Sequence, residues 1–102
     1  MREIAPAFLA AALPMMAAAG ITSPVAAQTQ QIDWCVNKNN AYSPDLSIDG
    51  CTAVIQSGRR SGQGLAWAYY NRGNAYQAKG EYDRAIADYT QAIQLNPKDV
   101  VL

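Results

Sequence analysis

The sequence predicts an all-α protein built from antiparallel helix hairpins. Three observations support this fold class: apolar residues recur at helical spacing, helix start and stop signals bracket separate segments, and one segment partly repeats another. The chain has 102 residues, equal numbers of acidic and basic side chains and no histidine, so it is at most one small domain. Zero net charge gives no bulk attraction for nucleic acid or an anionic membrane, and we predict no nucleic-acid partner.

Residues 1–27 have the three parts of a secretory signal peptide. A weakly basic start is followed by an apolar stretch, and Val25-Ala26-Ala27 supplies the small residues of a cleavage site. An uncleaved membrane anchor is the alternative, but prolines and a glycine interrupt the apolar run. We therefore expect cleavage after Ala27, a periplasmic or secreted location, and no stable membrane anchor afterwards.

Cys35 and Cys51 are the two cysteines of the chain. An oxidising compartment favours a disulfide between them, and closing a loop of about 15 residues is worth roughly 3 kcal/mol. Two thiols without a histidine are too few for a tetrahedral zinc site, and their spacing is not that of a redox catalyst. We predict a structural disulfide and no metal site, with free or intermolecularly paired thiols as the alternatives.

The first helix with clear ends lies in the middle of the chain. Ser43 is a good N-cap, Pro44 suits the first helical position, and Gly58 suits the stop. Its expected buried face consists of Ile48, Cys51, Val54 and Ile55. The following segment 58–64 contains Arg59 and Arg60 and is predicted to be an exposed basic loop.

Two further helices are predicted to form a hairpin. The first carries a stripe of Leu65, Tyr69, Gly73 and Tyr76 and stops at Gly80, and the second spans roughly residues 82 to 95 and ends before Pro97. The second helix has its own apolar stripe, made of Tyr82, Ala85, Ile86, Tyr89, Ala92 and Ile93. On it, Glu81, Asp83 and Asp88 are interpreted as a solvated face, with Arg84 pairing Asp88.

The chain also repeats part of itself. Residues 43–58 align with residues 81–96 without gaps. The alignment matches Asp45 with Asp83, Ile48 with Ile86, Thr52 with Thr90, Ile55 with Ile93 and Gln56 with Gln94. Residues 66–97 resemble one full tetratricopeptide repeat. The matching positions are Tyr69, Gly73, Tyr76, Gly80, Tyr82, Ala85, Tyr89, Ala92 and Pro97, whereas Arg72 replaces the usual leucine before the glycine.

The resemblance implies a short α-solenoid with one degenerate and one full repeat. The degenerate hairpin, with its disulfide and basic loop, covers residues 28–64, the full repeat covers 65–97, and 98–102 form a tail or the start of a further helix. The family register places Gly73 where the paired helices approach most closely, facing Ala85. In the earlier repeat Cys35 takes the place of this glycine and Cys51 that of Tyr89, so their bond would clamp two facing helices.

The resemblance also implies a binding function. In the family the first helices of successive repeats line a groove for a peptide or partner helix, and the matching outward positions are Trp67, Tyr70, Asn74 and Gln77. The alternative is that Trp67 and Tyr70 cover a neighbouring repeat. Nothing in the sequence resembles a catalytic site, because there is no histidine base and no nucleophile motif. We predict a protein or peptide partner, no cofactor and no enzymatic activity.

A structural role is the rival hypothesis. A short array leaves one face of its last hairpin open, so the protein could dimerise or stack through that face. Residues 100–102 fall one repeat after Ala66, Trp67 and Ala68, where another first helix would begin. The segment is interpreted either as a tail that docks a second copy or as a sign that the chain is a shortened member of a longer protein.

Overall fold

The computed structural model describes residues 23–98, which contain four α-helices and one short 3-10 helix. These elements are α1 (Pro24–Val36), the 3-10 helix (Lys38–Asn40), α2 (Pro44–Gln56), α3 (Gln63–Ala78) and α4 (Tyr82–Leu95). α1 packs on α2, α3 packs on α4, and α2 joins the two hairpins by packing on α3. The all-α fold of successive hairpins is therefore confirmed. The predicted signal peptide as far as residue 22, and the predicted tail beyond Lys98, lie outside the described residues.

The helix ends follow the local signals in the sequence. The Ser43 hydroxyl caps α2 by accepting a backbone N–H bond, with proline in the first turn, and α4 has its predicted bounds. α3 ends in a Schellman motif at Gly80, whose φ is 77°. There the Glu81 N–H donates to the Tyr76 carbonyl and the Gly80 N–H donates to the Gln77 carbonyl, both at 2.9 Å. Glycine accepts this left-handed conformation without a side-chain clash, so the chain reverses within a few residues.

Two helices begin earlier than their sequence signals indicate. α1 begins at Pro24, capped by the Ser23 hydroxyl, so its first turn lies within the segment 1–27 predicted as signal peptide. α3 begins at Gln63, within the predicted loop 58–64, because N–H groups of its first turn bond to the Ser61 and Gly62 carbonyls. A glycine in that first turn obscured the start, since glycine is a poor helix former.

The core consists of small side chains and one disulfide. Cys35 and Cys51 are fully buried and joined by a disulfide across α1 and α2, as predicted, with their Cα atoms 4.5 Å apart. The other buried apolar side chains are Val54, Ala66, Ala68, Ala75, Ala85 and Ala92. Ile48 and Ile55, predicted to be buried, are half-buried, whereas Ser47 and Gly50 face the core instead. Glycine takes position 50 because α1 crosses α2 closely there.

Two glycines mark the closest contacts between paired helices. A Cβ atom at Gly73 would lie 2.8 Å from the Tyr89 ring and 3.3 Å from the Ala85 carbonyl oxygen, so the predicted close approach is present. Gly50 makes a second such contact, which was not predicted from the sequence. A Cβ atom at Gly50 would lie 2.5 Å from the Gln31 carbonyl oxygen and 2.6 Å from the Trp34 Cβ atom. Both glycines therefore allow helix backbones to pack without an intervening side chain.

Asp88 contradicts the interpretation of the α4 carboxylates as a solvated face. Its side chain is buried, with 4% of the residue exposed, and accepts two hydrogen bonds from Arg72, at 2.7 Å from Nε and 2.8 Å from Nη2. The predicted pairing of Arg84 with Asp88 is also wrong, because Arg84 contacts Glu81 at 3.2 Å. Asp88 points toward α3 and not along the surface of α4, so its partner comes from another helix.

Arg72 joins three helices. Besides Asp88 on α4, its guanidinium donates to the Thr52 hydroxyl on α2 at 3.1 Å. It also lies 5.5 Å from the ring centroid of Tyr69 and 5.9 Å from that of Tyr76. The hydrogen bond to Asp88 raises the pKa of Arg72 above its usual value, against the opposing effect of burial. The arginine in the family's leucine position thus replaces apolar packing with a directional contact between the hairpins.

Three glycines lie within the described helices, and replacing each of them by alanine should change the free energy of unfolding by a different amount. We expect Gly64→Ala to raise the free energy of unfolding by about 0.5 kcal/mol, since its added Cβ meets no atom closer than 3.8 Å. Gly73→Ala should lower it by about 1–3 kcal/mol, because the Tyr89 ring must move. Gly50→Ala should cost the most, because the clashing atoms belong to the α1 backbone and a Cβ. Urea unfolding followed by circular dichroism measures the order, and equal stability of all three variants would contradict the close-approach model.

Arg72 and Asp88 should behave as a coupled pair. Arg72→Leu leaves a buried carboxylate without its partner and should lower the free energy of unfolding by about 3–5 kcal/mol. Adding Asp88→Ala should recover at least half of that loss, as measured by urea unfolding. The control is Arg84→Leu, which removes an exposed ion pair and should cost less than about 0.5 kcal/mol. A double variant as unstable as Arg72→Leu alone would show that lost packing, not the stranded charge, sets the cost.

Candidate functional site

A groove of about 640 Å³ lies between the α1–α2 connection and the surface of α3. We call it the amide groove, because four asparagines line it: Asn37, Asn40, Asn71 and Asn74. Its other lining residues are Cys35, Val36, Ala41, Tyr42, Ser43, Pro44, Ser47, Ala75 and Ala78. All of these side chains are uncharged. The groove therefore offers amide donors and acceptors on a small-residue, partly apolar surface.

The α1–α2 connection forms one wall of the amide groove and is held by asparagines. Asn37, Asn39 and Asn40 have φ values of 49°, 59° and 56°, a left-handed conformation that asparagine tolerates better than most residues. The Asn37 N–H continues α1 by donating to the Asp33 carbonyl, and its side-chain oxygen accepts from the Tyr42 N–H at 2.8 Å. These bonds fix the connection as a defined wall.

Asn71 joins the two walls. Its amide nitrogen donates to the Cys35 carbonyl at 3.1 Å, which ties the middle of α3 to the last turn of α1. The Asn71 amide oxygen has no hydrogen-bond partner among residues 23–98 and is available as an acceptor. Cys35 thus takes part in both the disulfide and the groove, so the covalent link of the first hairpin also positions this wall.

Three of the four predicted binding residues surround Tyr89. The Tyr89 hydroxyl lies 2.5 Å from the side-chain oxygen of Asn74 and 2.8 Å from that of Gln77. Its ring lies 5.6 Å from that of Tyr70 at a tilt of 48°. The phenol is the hydrogen-bond donor in these contacts. Burial, and then the neighbouring Tyr70, raises the pKa of Tyr89 above its usual value. Asn74 lines the amide groove itself, and both amides are exposed.

Trp67, the fourth predicted residue, lies at the junction of the two hairpins. It is half-buried and packs against the core that contains the disulfide, as Ile32 and Ile55 also do. The Arg60 guanidinium lies 5.6 Å from the centroid of a Trp67 ring. These contacts correspond to the alternative role for Trp67, which is to cover the neighbouring repeat.

Charged groups near the end of the amide groove are already paired. Lys79, directly after α3, contacts Asp45 at 2.5 Å and Glu81 at 3.3 Å. Its hydrogen bond to Asp45 raises the pKa of Lys79, with a further contribution from Glu81. The lysine therefore links the C-terminal end of α3 to the first turn of α2, and the groove lining itself carries no ammonium group.

Within residues 23–98, no group of three or more His, Cys, Asp or Glu side chains could hold a metal ion. Over the same residues, no helix is both long and apolar enough to span a bilayer. The arrangement that does occur is a neutral groove with fixed amides. Such a surface can hydrogen-bond the N–H and C=O groups of another polypeptide, because each asparagine carries both a donor and an acceptor.

The comparison with protein families agrees with the geometry of the second hairpin. Residues 66–99 match the family model of the tetratricopeptide repeat, a match that contains most of α3 and all of α4. No curated protein and no solved structure matches the chain. The first hairpin makes its helix contacts at positions equivalent to those of the second, with a disulfide in place of the Gly73–Tyr89 contact. Residues 66–99 are therefore similar to a tetratricopeptide repeat, and proteins that contain such repeats generally act as protein interaction modules.

Proposed function

We propose that this protein is an exported, non-catalytic interaction module that binds an extended peptide segment of a partner protein in the amide groove. The observation that carries the proposal is the uncharged lining of the groove, in which four asparagines accompany small apolar side chains. Asparagine amides suit the peptide backbone because they bond its donors and acceptors in turn. Small residues such as Ala75 and Ala78 leave room for the backbone to approach α3.

The charge distribution supports an internal peptide segment over a free C-terminus. A terminal carboxylate calls for a lysine or arginine in the groove, and the lining has neither. Arg72 and Lys79 are the cations adjacent in sequence to the lining residues of α3, and both are already paired. Arg72 binds Asp88, and Lys79 binds Asp45 and Glu81. The bound segment is therefore neutral along the part that contacts the groove.

Selection from a phage-displayed library of random peptides tests the binding site. Selected peptides should bind Asn74→Ala about tenfold more weakly than the unchanged protein, since one or two hydrogen bonds are lost. The matched control is Gln91→Ala, which removes an exposed amide from α4 outside the groove lining. Fluorescence polarisation measures both affinities. Affinity should change little between about 50 and 500 mM NaCl, because screening acts on charge pairs that the groove does not supply.

Two results would contradict the proposal. Peptides that bind Asn74→Ala and Gln91→Ala with equal affinity would place their site elsewhere. Selected peptides that share a carboxylate and lose affinity steeply with salt would show that a charged surface, not the amide groove, is the binding site.

Export is tested by mass spectrometry of fractionated bacterial cells that express the full chain. We expect a periplasmic or secreted species that begins at Gln28, with the two-proton mass loss of the Cys35–Cys51 disulfide. Cleavage at this point removes the Ser23 cap and the first turn of α1, so the mature helix begins at a frayed end. A cytoplasmic species that retains Met1 would rule out the exported location.

A further inference from the structure

α4 carries an apolar face that no other described element covers. Tyr82, Ile86 and Ile93 are 62%, 61% and 38% exposed, although all three belong to the apolar stripe of the helix. At 100° per residue, the two isoleucines lie within about 20° of each other on the helix surface, and Tyr82 lies beside them. We call this surface the α4 face. Three large exposed apolar side chains on one stripe are characteristic of an interaction surface.

The first hairpin shows how such a face is covered. In the internal repeat Ile48 and Ile55 of α2 correspond to Ile86 and Ile93 of α4. α3 packs on α2, Trp67 and Ile55 pack against the same buried cluster, and the two isoleucines of α2 are half-buried. The α4 face is thus the same surface without its covering helix. Its shape suits an α-helix that lies along α4.

The charges at the ends of α4 favour a second copy of the protein as the partner, with its own α4 as the covering helix in antiparallel orientation. Asp83 lies in the first turn of α4 and Lys98 follows its last turn, and neither has an ion-pair partner among residues 23–98. An antiparallel pair places Asp83 of each copy near Lys98 of the other, and it also opposes the two helix dipoles. The same orientation brings Ile86 of one copy against Ile93 of the other, twice across a two-fold axis.

A head-to-tail stack has weaker support. It would require α1 of one copy to cover the α4 face of the next, as α3 covers α2 within the chain. Thr29 of α1 occupies the position that Trp67 occupies on α3, and both Thr29 and the adjacent Gln30 are exposed and polar. α1 therefore lacks an aromatic side chain at the position of Trp67.

We propose that the α4 face is a homodimer interface, in which two copies pair through antiparallel α4 helices. The interface comprises Tyr82, Ile86 and Ile93 from each copy, flanked by Asp83 of one copy and Lys98 of the other. One helix per copy is a small interface, so the dissociation constant is expected to be roughly 10–100 µM. The proposal is independent of peptide binding, because no α4 residue belongs to the groove lining.

Analytical ultracentrifugation of the oxidised protein, over about 1 µM to 1 mM, tests the interface. Ile86→Lys should raise the dissociation constant by roughly a hundredfold, because each substitution removes two apolar side chains from a symmetric interface. The matched control is Gln91→Lys, which adds the same charge at an exposed α4 position on the opposite flank and should change the constant less than about threefold. Circular dichroism should give the same helix content for both, since Ile86 is mostly exposed.

A charge exchange tests the orientation. Asp83→Lys places two lysines together at each end of an antiparallel pair and should weaken the dimer about tenfold. Combining Asp83→Lys with Lys98→Asp restores opposite charges and should bring the dissociation constant back to within about threefold of the original value. A parallel pair or a purely structural effect of Asp83 would not give this rescue.

Three outcomes would overturn the proposal. The first is a protein that remains monomeric at about 1 mM. The second is an equal effect of Ile86→Lys and Gln91→Lys on self-association. The third is growth into trimers and longer species, which would indicate head-to-tail stacking instead of a closed pair.

Discussion

The close approach of the two helices within each hairpin is the constraint on which the rest of the structure depends. The largest fully buried side chains are the half-cystines Cys35 and Cys51, and alanines supply most of the remaining buried apolar positions. Small side chains fill a core only when helix backbones lie close together. Gly50 and Gly73 provide that proximity, because a Cβ atom at either would lie under 3.0 Å from the facing helix.

Each hairpin holds its two helices together by one glycine contact and one stronger bond, either a disulfide or a buried ion pair. The position that carries the glycine contact in one hairpin carries the stronger bond in the other. In the first, the disulfide joins Cys35 to Cys51 while Gly50 packs on Trp34 at the preceding position. In the second, Arg72 binds Asp88 at that preceding position while Gly73 packs on Tyr89. The corresponding positions are Trp34 with Arg72, Cys35 with Gly73, Gly50 with Asp88, and Cys51 with Tyr89. A covalent bond and a buried ion pair thus perform equivalent structural roles in related hairpins.

Features that depend on adjacent residues could be predicted, whereas those that depend on distant partners could not. The bounds of α4, the Ser43 cap and the Gly80 stop follow from local propensities and backbone conformation. Asp88 carries no such signal, because an aspartate on a helix has the same local pattern whether it faces water or an arginine on another helix. The internal repeat contained a signal that Asp88 faces another helix. It aligns Asp88 with Gly50, and a glycine at that position within a helix is explained only by close contact with a neighbouring helix.

The candidate site was predictable on one wall only. The family register indicated Asn74 on α3, and the structure places Asn74 in the amide groove. The opposite wall comes from the α1–α2 connection, whose conformation follows from consecutive asparagines near residues 37–40 that tolerate a left-handed backbone. That run of asparagines was the available signal. It does not predict a groove by itself, because the groove also requires the hydrogen bond from Asn71 to Cys35, a contact between repeats that sequence spacing does not reveal.

Tyr89 lies between the two proposed surfaces. Its backbone belongs to α4, between Ile86 and Ile93, whereas its hydroxyl lies 2.5 Å from the Asn74 amide in the groove wall. Pairing through the α4 face would leave each groove open, so a dimer would present two grooves to one partner. A partner with two suitable segments would then bind the second groove as an intramolecular step, at an effective concentration set by the spacing of its segments. Weak binding at a neutral groove is sufficient in that arrangement, because affinity comes from the pair and not from either site alone.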